Sequence, residues 1–247
     1  MRWMVVALAL AATPALGDDA QERGEAILDI EAQATEAALA RKARTEARLA
    51  EEGVPVNANL PAIEDETQAA IRDHEAVVRR ALALLGVAQY GATGDFEGAT
   101  GLLDRFGLTP DDLTPAERAF IASDAPSEME RLQFSWRFEA AWALLWALGL
   151  HDELGKPVAP MDLDRLSVVV GEDVRSLVAK TELRPAAELL DAADAIYRYR
   201  WALQDARIGD RAPPAGLDPS VAVERHVALN WLIGYLGQDW DAVTPDT

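Results

Sequence analysis

Apolar residues recur at helical spacing along most of this chain, and the polar residues between them mark where helices start and stop. The densest stretch is Ser127 to Gly149, SEMERLQFSWRFEAAWALLWALG, which holds three of the seven tryptophans. At about 100° per residue, Phe134, Phe138, Trp142, Leu145 and Trp146 share one broad face, and Ala140, Ala143 and Ala147 line the opposite one. Both faces are apolar, so the stretch predicts a central core helix whose alanine side admits a close neighbour. Ser127 with Glu130 makes a capping box at its start, and Gly149 stops it. Arg137 and Glu139 interrupt the apolar pattern. They fall about 160° apart on the wheel, so each needs an opposite charge from a different helix.

The rest of the chain follows the same logic. No Gly or Pro occurs between Glu25 and Glu52, which predicts a long helix with a thin apolar stripe of Ile27, Ile30, Ala34, Ala37 and Ala38. Arg41, Arg44 and Arg48 form a basic face on it, expected to lie against acidic surface or to pair with Glu51 and Glu52. Gly53 ends this helix, and Pro55 and Pro61 keep the next segment extended. A second long helix is expected from Glu64 or Asp65 to about Tyr90, with Ile71, Val77, Val78, Ala81, Leu82 and Leu85 inside, and then a glycine-rich break from Gly91 to Gly101. Two Leu-Thr-Pro runs place Thr109 and Thr114 at N-caps with proline at the first helical position, giving short helices. Leu166 to Val170 is β-branched and reads equally as a short strand or a buried helical turn. Pro185 opens a strong helix that closes at Gly209, and Asp218 with Pro219 opens the last one. Together these predict an all-α multi-helix bundle with a central Trp-rich helix and at most one short strand pair. A single core is expected, with subdomains 41–105 and 106–247 as the alternative division.

Composition narrows the function. Half of the 247 residues are hydrophobic, enough for a substantial core. A net charge of -19 disfavours nucleic acid and anionic lipid surfaces as partners. Cysteine is absent, which removes disulfides, thiolate metal sites and cysteine nucleophiles. With only three histidines and no recognisable cofactor motif, neither a metal site nor a cofactor is assigned. The first 17 residues, MRWMVVALALAATPALG, carry Arg2, an apolar run from Met4 to Ala12, Pro14 and the small-x-small ending Ala15-Leu16-Gly17. That is the pattern of a cleavable signal peptide, and the run is shorter than the roughly 20 residues a span requires. It predicts an exported protein, periplasmic or secreted, without a membrane span after cleavage. An N-terminal helical arm, 18–40, and a single domain, 41–247, follow.

Candidate site residues cluster late in the chain. Asp194, Arg198, Trp201 and Asp205 recur on one stripe of the helix after Pro185. In the last helix Glu224, Arg225, His226 and Asn230 interrupt an apolar segment beside Trp231, and Trp240 with Asp241 follows in the tail. These groups can supply what the central helix lacks: Asp194, Asp205 or Glu224 for Arg137, and Arg198 or Arg225 for Glu139. They either satisfy one another in the core or form a binding surface. For catalysis the sequence offers only His226 with Glu224 or Asp194 as an acid/base pair, since no HExxH, GxSxG or phosphate loop is present.

Four of these stretches also carry a resemblance. WRFEAAWALLWALG from Trp136, LDAADAIYRYRWALQDAR from Leu190, ERHVALNWLIGY from Glu224 and the ending WDAVTPDT from Trp240 occur in order. RKARTEARLAEEGVPVNANLP from Arg41 and the spacing of Arg72 to Leu84 extend the pattern upstream. Over about residues 41–247 the chain resembles the bacterial family catalogued as domain of unknown function 4272. The resemblance implies no activity, substrate or cofactor. The expected function is a non-enzymatic binding or scaffolding module of the cell envelope, holding a protein or peptide. The alternatives are a small-molecule binder with Trp201 and Trp231 as stacking walls, and a hydrolase using His226.

Overall fold

A computed structural model describes residues 24, 25, 30, 32–123 and 125–246. The expected signal peptide and most of the arm before residue 32 lie outside the described residues. The helices are α1 Glu36–Glu51, α2 His74–Thr93, α3 Phe96–Arg105, α4 Pro115–Ile121, α5 Glu128–Ser135, α6 Arg137–Ala147, α7 Val174–Lys180, α8 Ala186–Ile208 and α9 Pro219–Ile233. Short 3-10 turns join them, and no strand occurs among the described residues. The fold is an all-α bundle. Leu166 to Val170 falls in and just after the 3-10 helix Leu163–Val169, not in a strand, and of the five only Val169 is buried.

α6 sits at the centre, packed against α2 on one side and α9 on the other. α9 carries α8, α8 carries α1, and α2 bears α3, α5 and α7 on its outer side. Ala140, Ala143, Ala147, Leu144 and Leu145 are fully buried, and Trp142 and Trp146 nearly so. The alanines let the flanking helices close on α6, as the pattern predicts.

Two boundaries differ from expectation. The Ser127–Gly149 stretch is two helices meeting at Trp136, where the Glu139 N–H donates to the Trp136 carbonyl at 2.9 Å in a tightened turn. The side chains of α5 are exposed or half-buried, whereas α6 is mostly enclosed. The second long helix begins at His74, not at Glu64 or Asp65, because Asp73 caps it by accepting from the Ala76 N–H at 3.0 Å. Asp65 is engaged elsewhere, accepting from Thr35 Oγ1 at 2.6 Å and from Thr67 Oγ1 at 2.7 Å. That helix also runs through Gly91 and closes at Gly94, φ 69°. Gly91 is a packing glycine: a Cβ there would lie 2.6 Å from Ser135 N and 2.7 Å from Arg131 O of α5. The predicted break is thus a helix crossing, and Gly98 and Gly101 lie within α3, capped by Asp95.

The local capping signals form as read. Thr114 with Glu117 and Ser127 with Glu130 make reciprocal boxes, and Asp218 caps α9 ahead of Pro219. Among the described residues no helix is long and apolar enough to cross a membrane.

Candidate functional site

Most of the charges singled out in the sequence are spent joining helices. Arg225 of α9 donates to Glu139 of α6 at 3.0 Å and to the Leu154 carbonyl at 2.9 Å. Arg137 donates to Glu224 at 2.9 Å. Arg198 grips Asp194 through two hydrogen bonds of 3.1 and 2.8 Å, and reaches Glu46 of α1 at 3.2 Å and the Pro61 carbonyl at 3.1 Å. Asp205 pairs with Arg211 near the surface. The basic face of α1 meets acid as expected: Arg41 is buried against Asp191 and Glu66, and Arg48 pairs with Glu52. The tail is docked too. Trp240 meets Trp231 edge-on at 5.6 Å, and the Asp241 carboxylate accepts from the Ala116 N–H at 3.0 Å.

These contacts leave His226 and Asn230. Spaced i, i+4 and i+7 along α9, His226, Asn230 and Ile233 line one wall of a cavity of about 440 Å³. Ala193 and Tyr197, i and i+4 on α8, form a second wall, and the extended segment 60–64 a third. Pro61 keeps that segment out of helix, and three basic side chains pin its carbonyls: Lys42 on Leu60, Arg198 on Pro61 and Arg41 on Glu64. Gly24, Ile30, Tyr235 and Asp246 complete the lining. Gly234 takes φ 75° and sets Tyr235 at the cavity, since a Cβ at Gly234 would sit 2.3 Å from the Ala70 carbonyl oxygen. Asn230 Nδ2 donates to the Thr244 carbonyl at 3.1 Å, holding the tail against α9.

The electrostatics of this cavity are unusual. His226 is 1% exposed, and its Nδ1 has no hydrogen-bond partner among the described residues. Burial, with Arg200 close by, lowers its pKa to about 3, so the imidazole is neutral. Glu64 Oε2 is also buried without a partner, and burial pushes that carboxyl above its usual range. The Tyr235 phenol is pushed up by burial and then by Asp246, Tyr197 and Glu64, which places the four acidic groups close together. The Tyr197 ring lies 6.2 Å from the imidazole. An unpaired buried polar atom costs about 1–3 kcal/mol, and two residues that line this one space each hold such an atom.

Several expectations change accordingly. No hydrogen bond joins His226 to Glu224 or Asp194, because those carboxylates are bound to Arg137 and Arg198. Trp201 and Trp231 are absent from the cavity lining, whose aromatic walls are Tyr197 and Tyr235. Glu64, Tyr197, Tyr235 and Asp246 are site residues that sequence reasoning missed; Glu64 was read as a helix start, and the others carry no local signal. Among the described residues no group of three or more His, Asp or Glu is placed to hold a metal ion. A second cleft of about 430 Å³ between α1, α8 and the 153–157 loop contains Arg48, Glu52, Lys156 and Tyr199. Its polar groups satisfy one another, with Tyr199 donating to Glu52 at 2.6 Å.

Comparison with known proteins gives one assignment. Neither a curated protein nor a solved structure matches the chain. Over residues 41–243, from within α1 to the tail, the chain matches, and belongs to, the family described as a domain of unknown function, DUF4272.

Proposed function

We propose that this domain binds a small organic molecule in the cavity between α8, α9 and segment 60–64. The observation that carries this reading is that two residues lining one mostly apolar space, His226 and Glu64, each hold a buried polar atom, Nδ1 and Oε2, with no hydrogen-bond partner among the described residues. Buried polar groups in native proteins are almost always partnered, so two left open in one cavity are a demand for a ligand. The volume, about 440 Å³, suits a metabolite-sized guest. An envelope scaffold would need the charged and tryptophan-bearing faces at the surface, and those faces are used inside the bundle. Hydrolysis would need His226 oriented by a carboxylate, and its candidate partners are held by arginines. The N-terminal pattern supports export of the mature chain, which N-terminal sequencing of protein from the periplasm and medium tests.

The binding test is a thermal-shift screen of small organic molecules against the wild type and Ala193→Leu, whose larger side chain fills the cavity from α8. Compounds that raise the melting temperature of the wild type and not of the filled variant support the reading. Equal responses from both place any binding elsewhere and overturn it.

A further inference from the structure

The polar groups of the cavity are unequally shared between acid and base. Glu64, Asp246 and the tyrosines Tyr197 and Tyr235 all line it, whereas the base among its lining residues is His226, buried and without a hydrogen-bond partner at Nδ1 among the described residues. The Asp246 carboxylate accepts from Thr244 Oγ1 at 2.5 Å and keeps lone pairs to spare. Arg200 lies one turn beyond Tyr197, outside the lining, and disfavours a proton on His226. The histidine therefore brings no positive charge to oppose a cation, and a neutral ring can accept at Nδ1. An anion in this space would face two carboxylates. A positively charged guest would instead find them in a partly desolvated setting, where charge pairing is stronger than in water. Tyrosine faces add attraction for an ammonium group.

Resting on the reading of this cavity as a ligand site, we propose that its guest is a small organic ammonium ion with an apolar body. The charged head lies toward Glu64 and Asp246, flanked by Tyr197 and Tyr235, and one N–H donates to His226 Nδ1. The body packs on Ile63 and Ile233.

The test uses three probes of one shape and different charge: phenethylammonium, neutral 2-phenylethanol and anionic 3-phenylpropanoate. Binding to the full chain is measured by titration calorimetry near neutral pH, with Glu64→Gln, Asp246→Asn and Ala193→Leu variants checked for folding by circular dichroism. The expected result is that phenethylammonium binds at least tenfold more tightly than 2-phenylethanol, and 3-phenylpropanoate more weakly still. Glu64→Gln or Asp246→Asn then loses the ammonium preference while 2-phenylethanol affinity stays within twofold, and Ala193→Leu binds none of the three. Equal affinity for the ammonium and the alcohol, or a preference for the carboxylate, overturns the cationic guest and leaves the cavity reading standing. An ammonium preference that survives both carboxamide variants also overturns it. If Ala193→Leu binds all three as the wild type does, or if none binds the wild type at millimolar concentration, both readings fall.

Discussion

Arg225 and Glu139 form an ion pair at 3.0 Å, with side chains 4% and 2% exposed, and it fastens α9 to α6 at the centre of the bundle. The second carboxylate oxygen accepts from the Met161 N–H, and Arg225 Nη1 donates to the Leu154 carbonyl, so the pair also holds the loop between α6 and α7. Removing one member leaves the other charge buried and unmatched.

Arg225→Ala and Glu139→Ala are each expected to destabilise the fold by about 3–5 kcal/mol. Replacing both with apolar residues, as in Arg225→Met with Glu139→Leu, should recover most of that loss, because the desolvation of the two charges disappears with their attraction. Urea unfolding of the four proteins measures this. Single variants within 1 kcal/mol of wild type would mean that water reaches the pair.

The neighbouring pair behaves differently. Arg137 is 21% exposed and Glu224 10%, so water screens part of their attraction. Burial already pushes the Glu224 carboxyl above its usual range, with Arg137 opposing the rise. Without Arg137 the folded-state pKa climbs further, and the cost of holding Glu224 ionised appears only above the unfolded value of about 4.3. Arg137→Ala should therefore cost about 1–3 kcal/mol at pH 8 and less at pH 5, where protonation relieves the unpaired charge. Denaturant midpoints at the two pH values decide the matter; a loss independent of pH would point to packing alone.

Gly91 supplies a test in which helix propensity and packing disagree. Alanine is the better helix former by about 1 kcal/mol, yet a Cβ at Gly91 would press on backbone atoms of Ser135 and Arg131, which cannot swing aside. Gly91→Ala is expected to destabilise by about 1–3 kcal/mol through the forced separation of α2 and α5. An increase in melting temperature would show that the two helices have room to move apart.

Gly91 also shows why part of this structure was legible from sequence and part was not. Capping signals are local, and Thr114 with Glu117, Ser127 with Glu130, and Asp218 before Pro219 each form as read. The all-α bundle and the burial of α6 follow equally from spacing and composition. Gly91 reads as a breaker until α5, some forty residues later, is known to cross it. Asp65 reads as a cap on paper, but the hydroxyls of Thr35 and Thr67 claim it, and Asp73 caps the helix instead. The cavity is harder still. His226 stands out in sequence as an ionisable residue in an apolar helix. Glu64, Tyr197 and Asp246 come from three distant segments, and only tertiary packing brings them to one cavity.

His226 should make the fold sensitive to acid in a defined window. Its pKa in the folded chain is about 3 against 6.5 for a free imidazole, so the unfolded state binds more protons between those values. Stability linked to this group is complete above about pH 6.5 and falls as pH drops toward 3. The neighbouring Arg200 does not reverse the sign, since its charge opposes a proton on His226. Glu64, whose pKa burial raises, works in the opposite direction above its ordinary value. His226→Phe, similar in volume, removes both the titration and the orphaned Nδ1. It is expected to be as stable as wild type or more so at pH 7.5, by up to about 2 kcal/mol, and to flatten the decline between pH 6.5 and 5. Melting temperatures across that range, compared for wild type and variant, carry the test. An unchanged slope in His226→Phe would mean that the imidazole is protonated in the folded chain, and with it that the cavity holds water enough to solvate a charge.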